Sequence, residues 1–161
     1  MLLGILSDSH DRSEIMKRAI IALHERGAGF FIHCGDICEP HLLDHLAGLP
    51  SAVVWGNCDW ERLALQRYAE SIAVPFYGAF ADLEFDTKRV AVLHGDDRTH
   101  LDALLNAQQH DYLLHGHTHI RRDERIGKTR VINPGALHRA AEKTVALLDT
   151  GTDKLEYLRI A

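Results

Sequence analysis

Five short apolar runs in this chain each lead into side chains that bind hard metal ions, and this pattern constrains the fold more than any other feature. Leu2, Leu3, Ile5 and Leu6 precede Asp8-Ser9-His10, and Tyr112, Leu113 and Leu114 precede Gly116-His117-Thr118-His119. Phe30-Phe31-Ile32 runs towards Gly35-Asp36, Ala52-Val53-Val54-Trp55 into Gly56-Asn57-Cys58-Asp59, and the segment 89–93 into His94-Gly95. A short apolar run ending in ligand-type residues reads as a buried strand that delivers them at its carboxyl end. Core packing alone makes no such demand on five strand ends.

Taken in order, the chain supports that reading. Asp11 and Glu14 have capping-box spacing, and Ile15, Met16, Ala19, Ile20 and Leu23 then keep a helical period until Gly27. Pro40 suits a first helical turn, and Leu42, Leu43 and Leu46 mark a short amphipathic helix. The order β-α-β-α-β predicts parallel strands with right-handed crossovers. Beyond it, residues 61–70 read as a helix and Phe76-Tyr77 as strand-like. The segment 82–86 alternates like a half-exposed strand, with Thr87-Lys88 as the hairpin turn into 89–93. Leu101, Leu104 and Leu105 suggest a helix, and strands are expected near 122–126, 129–132, 144–148 and 155–160. No repeat, linker or low-complexity tract interrupts the chain. One domain over residues 1–161 fits, with two packed sheets and helices on their outer faces.

Composition narrows the function. The chain has 161 residues, enough for a substantial core, with 46% apolar and 25% charged residues. A net charge of −5 and the lack of a basic block argue against a stable nucleic-acid complex, though a single nucleotide remains compatible as a substrate. No apolar run reaches the roughly 20 residues of a membrane span, and no signal-peptide pattern precedes the first strand. Three cysteines, an odd number, fit free thiols in a reducing cytoplasm. The 12 histidines are the excess that needs an explanation.

Seven ligand-type residues stand at the strand ends: Asp8, His10, Asp36, Asn57, His94, His117 and His119. They are too many for one ion that must also hold water. Shared between two ions bridged by Asp36, they give four protein ligands each, with the ions roughly 3.5–4 Å apart. Carboxylate, amide and imidazole donors together suit Mn²⁺ first, with Fe, Zn²⁺ or Ni²⁺ as alternatives, over Cu(I) or Ca²⁺.

The ordered set Asp8-x-His10, Gly35-Asp36, Gly56-Asn57-x-Asp59, His94-Gly95 and Gly116-His117-x-His119 resembles the calcineurin-like metallophosphoesterases. Within them it is similar to the small single-domain branch of YfcE/MJ0936-type phosphodiesterases. The resemblance spans residues 3–135 and implies a four-layer α/β/β/α sandwich of two mixed sheets, with the metal site at strand carboxyl ends. It implies that Asp8, His10 and His119 hold one metal, that Asn57, His94 and His117 hold the other, and that Asp36 bridges them. It further implies hydrolysis of a small phosphate ester by a metal-bridging hydroxide, oriented by Asn57 and His117. Members of the branch are often dimeric or larger, which implies a homo-oligomer. Asn133-Pro134-Gly135 resembles a family turn near the site, with Ala136 where a serine is more usual.

One departure carries information. Larger relatives have a histidine at Cys58, followed by an aspartate matching Asp59, and that pair is credited with protonating the leaving alkoxide. A thiol is a weak hydrogen-bond donor. Cys58 and Asp59 are therefore catalytic candidates, and diesters with good leaving groups are the expected substrates. The competing functions are a non-catalytic scaffold of the retromer-subunit type, with idle metal, and a phosphomonoesterase.

The remaining candidates have plainer readings. Cys34 and Cys38 read as structural thiols, His41 and His45 as a solvated helix face, and His33 and His115 as core histidines or supports for the ligands. His24, His100, His110 and His138 read as surface residues, as do Arg12, Arg98 and Arg139. Asp96-Asp97 places negative charge beside the site.

Overall fold

Alternation within the first strand fixes the layering. In β1 (Leu2–Leu6), Leu3 and Ile5 enter one buried cluster while Leu6 enters another, because successive side chains leave opposite faces of a strand. The computed structural model describes residues 1–161, and the same two-faced burial repeats along it.

The first sheet joins β1, β2 (Phe30–His33) and β3 (Ser51–Val53) in parallel. It is extended antiparallel by β9 (Thr144–Asp149) and β10 (Lys154–Arg159), in the order β10-β9-β1-β2-β3. The second sheet runs β4-β5-β6-β8-β7. Its parallel centre is β5 (Lys88–Leu93), β6 (Tyr112–Leu114) and β8 (Thr129–Asn133), and β4 (Phe80–Phe85) and β7 (Arg122–Ile126) are its antiparallel edges.

Three buried clusters separate four layers. Leu6, Phe31, Val53 and Val145 on the outer face of the first sheet pack with Met16 and Leu23 of α1 (Ser13–Glu25), Leu65 of α2 (Arg62–Ser71) and the 3-10 segment Pro40–Leu46. Leu3, Ile5, Ile32 and Ala146 meet Val90, Val92, Tyr112, Leu114 and Ile132 between the sheets. Ala91, Leu113 and Val131 pack with Leu101 of α3 (Arg98–Ala107) on the far side. This is the α/β/β/α sandwich of two mixed sheets, and the predicted β-α-β-α-β start is parallel throughout.

Several local features depart from what the sequence pattern predicts. Asp11 does not cap α1, whose preceding residue is Arg12 and whose first turn takes no side-chain cap. The hairpin turn is Asp86-Thr87, one residue earlier than predicted, and both residues have positive φ (50° and 67°), as a tight two-residue turn requires. The short amphipathic helix expected after Pro40 is the 3-10 segment Pro40–Leu46, which buries Leu42, Leu43 and Leu46. Phe76 forms only an isolated parallel bridge to Val53. No helix is long and apolar enough to cross a membrane.

Candidate metal centre

The parallel strands of both sheets point their carboxyl ends at one rim, and all seven ligand candidates stand there. Asp8 and His10 follow β1, Asp36 follows β2, Asn57 follows β3, His94 follows β5, and His117 and His119 follow β6. The loops hold each other through backbone hydrogen bonds: the Asp8 amide donates to the Gly35 carbonyl (3.0 Å), His10 to Asp36 (2.9 Å), and Gly116 to His94 (2.9 Å). Asp8, His10, Asp36, His117 and His119 all adopt positive φ, between 39° and 67°. That region is sparsely used by non-glycine residues, although Asp and His tolerate it better than most. The strain is held by the surrounding packing, as is common where a chain aims functional groups.

Two glycines make the approach close enough. A Cβ on Gly56 would lie 2.1 Å from Asp36 Oδ1, and one on Gly116 would lie 1.9 Å from Ser7 Oγ and 2.6 Å from Asp8 Oδ2. No other residue fits at either position without moving a carboxylate.

The donors converge in overlapping groups. Asp8, His10 and His119 form one, Asp8, Asp36 and His94 a second, and His10, Asp36 and Cys58 a third, the ligand atoms in each lying within 4.8 Å of one another. Asp36 Oδ2 lies 3.3 Å from His94 Nε2 and 3.6 Å from His10 Nε2, so this carboxylate stands between the two sides of the centre. On the second side, Asn57 Oδ1 is 3.0 Å from both His94 Nε2 and His117 Nδ1. Asp8 is fully buried and Asp36 nearly so, whereas Asn57 and His117 are exposed and form the open face.

The residues fit a metal. Asp8 Oδ1 and His10 Nε2 are buried without a hydrogen-bond partner, a costly arrangement that an ion would relieve. Asp8 Oδ1 does lie 3.1 Å from His119 Nε2, but the contact lacks hydrogen-bond alignment. The other Asp8 oxygen is occupied: Oδ2 accepts from Ser7 Oγ (2.6 Å) and the His117 amide (3.1 Å). His94 Nδ1 donates to the Cys34 carbonyl (2.8 Å), which leaves Nε2 to face the centre, the usual way a ligand imidazole is oriented.

The charges are tightly coupled. Burial alone would raise Asp36, but its hydrogen bond with His94 and the charge of that ring outweigh it and hold the carboxyl at about 2. Burial likewise opposes charge on His94, yet the Asp36 hydrogen bond and the Asp8 and Asp36 charges push it up to about 9. His119 is raised by the Asp8 carboxylate.

Asp59 has a different place from the one its motif suggested. Its carboxylate is buried and accepts three backbone amides, Asp36 (3.0 Å) and Gly56 (2.7 Å) on Oδ2 and Cys38 (2.7 Å) on Oδ1. It therefore clamps the Asp36 loop to the Asn57 loop. Cys58 is at the centre: its amide donates to Asp36 Oδ1 (2.8 Å), and burial followed by the Asp36 charge pushes its thiol up to about 11.

Supporting residues separate from bystanders. His33 accepts from the Gly35 amide at Nδ1 (3.2 Å), so its Nε2 proton faces Ser9 Oγ (2.9 Å). Asn133 Nδ2 donates to the Gly116 carbonyl (2.8 Å) and Thr118 Oγ1 (3.1 Å), pinning the His117 loop. His138 is not a bystander: its ring lies 5.2 Å edge-on from that of His10, and its Nδ1 accepts from Arg12 Nε (3.2 Å). His110 is buried rather than exposed and contacts Asp82 (3.2 Å), away from the site. Cys34 and Cys38 are free, and Cys38 Sγ sits 3.5 Å from His10 Nδ1. Ser7, Ser9 and His138 were missed because no local pattern marks a side chain whose partner lies on a distant loop.

Residues 1–153 match the family described as the calcineurin-like phosphoesterase superfamily domain. The chain belongs to that superfamily. A phosphodiesterase of Methanocaldococcus jannaschii, MJ0936, is 29% identical over 165 residues, covering 99% of this chain and 98% of its own. A solved archaeal phosphodiesterase superposes with a TM-score of 0.91 at 26% identity, covering 99% and 100% of the two chains. YfcE, a phosphoesterase from E. coli, shares the fold with a TM-score of 0.71 at 19% identity over the full length of both. The superfamily is metal-dependent, and the convergent donor groups of this phosphoesterase-fold chain are consistent with that dependence.

Proposed function

We propose that this chain is a phosphodiesterase that hydrolyses a small phosphate diester at a centre of two divalent ions. The observation that carries the reading is the pair of donor groups, Asp8–His10–His119 and Asp8–Asp36–His94, built around buried atoms that have no hydrogen-bond partner. In this reading Asp8, His10 and His119 hold one ion, Asn57, His94 and His117 hold the other, and Asp36 is shared. The mixed carboxylate, amide and imidazole donors suit Mn²⁺, Fe or Zn²⁺, and Mn²⁺ is the ion proposed. When bound, the ions supply a hydroxide at neutral pH, by lowering the pKa of water from about 15.7 to about 7, and neutralise charge on the phosphoryl oxygens.

The protein's own groups then set the outcome. Asn57 and His117 form the exposed face of the centre and orient the phosphate and its attacking water. Cys58 keeps its proton, with its pKa near 11, but offers a leaving alkoxide only a weak donor. Asp59 has both oxygens on backbone amides and acts by positioning Asp36 and Gly56. Without a strong proton donor the chemistry favours aryl and other good leaving groups, and diesters over alkyl monoesters. The phosphodiesterase relative MJ0936, matched along nearly its whole length, supports this choice.

The test is hydrolysis of bis(p-nitrophenyl) phosphate and p-nitrophenyl phosphate by metal-stripped protein titrated separately with Mn²⁺, Zn²⁺, Ni²⁺ and Mg²⁺. Metal-dependent diester cleavage that Asp36→Ala abolishes is the expected result. No turnover with any metal, at two bound ions per chain, would overturn it in favour of a scaffold.

A further inference from the structure

Beside the metal centre lies a cleft of about 370 Å³ that the reaction itself does not need. His117 forms one wall, so the cleft opens directly onto the second ion's side of the centre. Arg98 at the start of α3 and Arg121 and Arg122 at the start of β7 line it, opposed by a single carboxylate, Asp96. Three guanidiniums gathered in one cleft stand out in a chain whose net charge is −5. The volume falls at the small end of ligand sites, which run from roughly 300 to 1,000 Å³.

Arg98 and Arg121 are only loosely tied to the fold. Arg98 reaches Asp102 only at 3.9 Å, with 73% of its side chain exposed. Arg121 lies over the Tyr157 ring at 5.5 Å and reaches Glu142 only at 3.6 Å. Arg122 has the better partner, Glu124 at 2.7 Å, in a pair whose glutamate is half exposed. Such pairs contribute little and yield readily to a more highly charged anion.

A second observation points to a ligand. His115 forms part of the same cleft's lining and is 3% exposed, and its Nε2 has no hydrogen-bond partner. Its Nδ1 lies 3.0 Å from the Gly116 carbonyl, which can only accept, so the ring proton sits on Nδ1 and Nε2 is left as an acceptor. A ligand that suits this lining carries an anionic group for the guanidiniums and a hydroxyl for the imidazole.

We propose that this cleft is a substrate subsite, and that the natural diester carries a second phosphate on one of its ester arms, attached to a hydroxyl-bearing sugar. The inference rests on the phosphodiesterase reading and names the substrate class for it. Nothing new happens at the scissile bond: water adds to phosphorus and one ester oxygen leaves with a proton. The cleft supplies binding for the arm.

The experiment compares uridine 5′-(p-nitrophenyl phosphate) with the same compound bearing a 3′-phosphate, both of which keep the 2′-hydroxyl, using Mn²⁺-loaded protein. A third compound bearing a 3′-succinate separates phosphate from carboxylate recognition. A 3′-phosphate is expected to raise kcat/KM by about tenfold or more, chiefly through KM, as charge-assisted contacts to arginine imply. That ratio should collapse towards one in Arg98→Ala/Arg122→Ala and be partly kept in Arg98→Lys. Uridine 3′,5′-bisphosphate should bind the metal-free protein more tightly than uridine 5′-phosphate, by calorimetry, and lose that margin in the double variant. Equal kcat/KM for the two nucleotides in protein that cleaves bis(p-nitrophenyl) phosphate would overturn the subsite and leave the diesterase standing. A ratio that survives the arginine substitutions would also overturn it, and a larger gain from succinate would replace phosphate with carboxylate as the arm. Failure to cleave any diester would remove both readings.

Discussion

Replacing Asp59 by Asn separates two roles that its motif confounds. As a clamp, the carboxylate accepts amides from Asp36, Gly56 and Cys38 at 2.7–3.0 Å, and at 1% exposure it is shut away from a substrate. The amide of Asn can keep at most two of the three: its oxygen can take the Asp36 and Gly56 amides, and its NH₂ then faces the Cys38 amide. An orphaned buried donor costs about 1–3 kcal/mol. For a chain of this size that is a fall in Tm of roughly 2–12 °C. All three amides belong to the loops carrying Asp36 and Asn57, so metal affinity falls as well. Burial holds the Asp59 carboxyl above its usual range even against these three donors, so the loss reflects unsatisfied amides rather than lost charge. The assay is thermal unfolding of metal-free and Mn²⁺-loaded protein beside a leaving-group series of aryl diesters. A lowered Tm without metal, weaker Mn²⁺ binding and an unchanged leaving-group dependence are expected. An unchanged Tm together with a selective loss on poor leaving groups would refute the clamp and restore Asp59 as part of a proton donor.

Gly56→Ala should abolish tight metal binding, since the new Cβ would lie 2.1 Å from Asp36 Oδ1; elemental analysis of purified protein showing full occupancy would refute this. Metal-free protein should lose stability on both sides of about pH 6.5. Burial depresses His33 to about 3 and His115 to about 4, so their contribution is present above pH 6.5 and lost as pH falls through those values, roughly 3–5 kcal/mol each. His94, raised to about 9, contributes stability that is complete below pH 6.5 and lost as pH rises through 9, so denaturant midpoints that stay flat from pH 4 to 9 would contradict these assignments. Cys58→His should raise alkyl phosphomonoester turnover relative to diesters by supplying the stronger donor; an unchanged substrate ratio would show that proton donation does not set specificity.

Much of this protein was legible in its sequence because the relevant signals are local. Apolar runs such as Leu2–Leu6 and Tyr112–Leu114 declare buried strands through their burial demand, and glycine beside Asp36, Asn57, His94 and His117 announces close backbone approach. The β-α-β-α-β succession and the seven ligand candidates follow from these without a long-range contact being known, whereas the order of strands within each sheet does not. Tertiary structure decided what depends on partners distant in the chain. Asp59 became a clamp because amides from residues 21 and 23 positions away reach it, and His138 joined the site because the segment after β8 returns beside β1. The hairpin moved by one residue because the register of β4 against β5 places Asp86 and Thr87 at the turn, which no alternation in one strand specifies. The arginine cleft is the clearest case, since Arg98 reads as an ordinary surface residue, and nothing in the sequence marks Arg122, until α3 and β7 bring them together beside His117. Periodicity fixes which face of an element is buried, and only the packing of elements fixes which exposed side chains become neighbours.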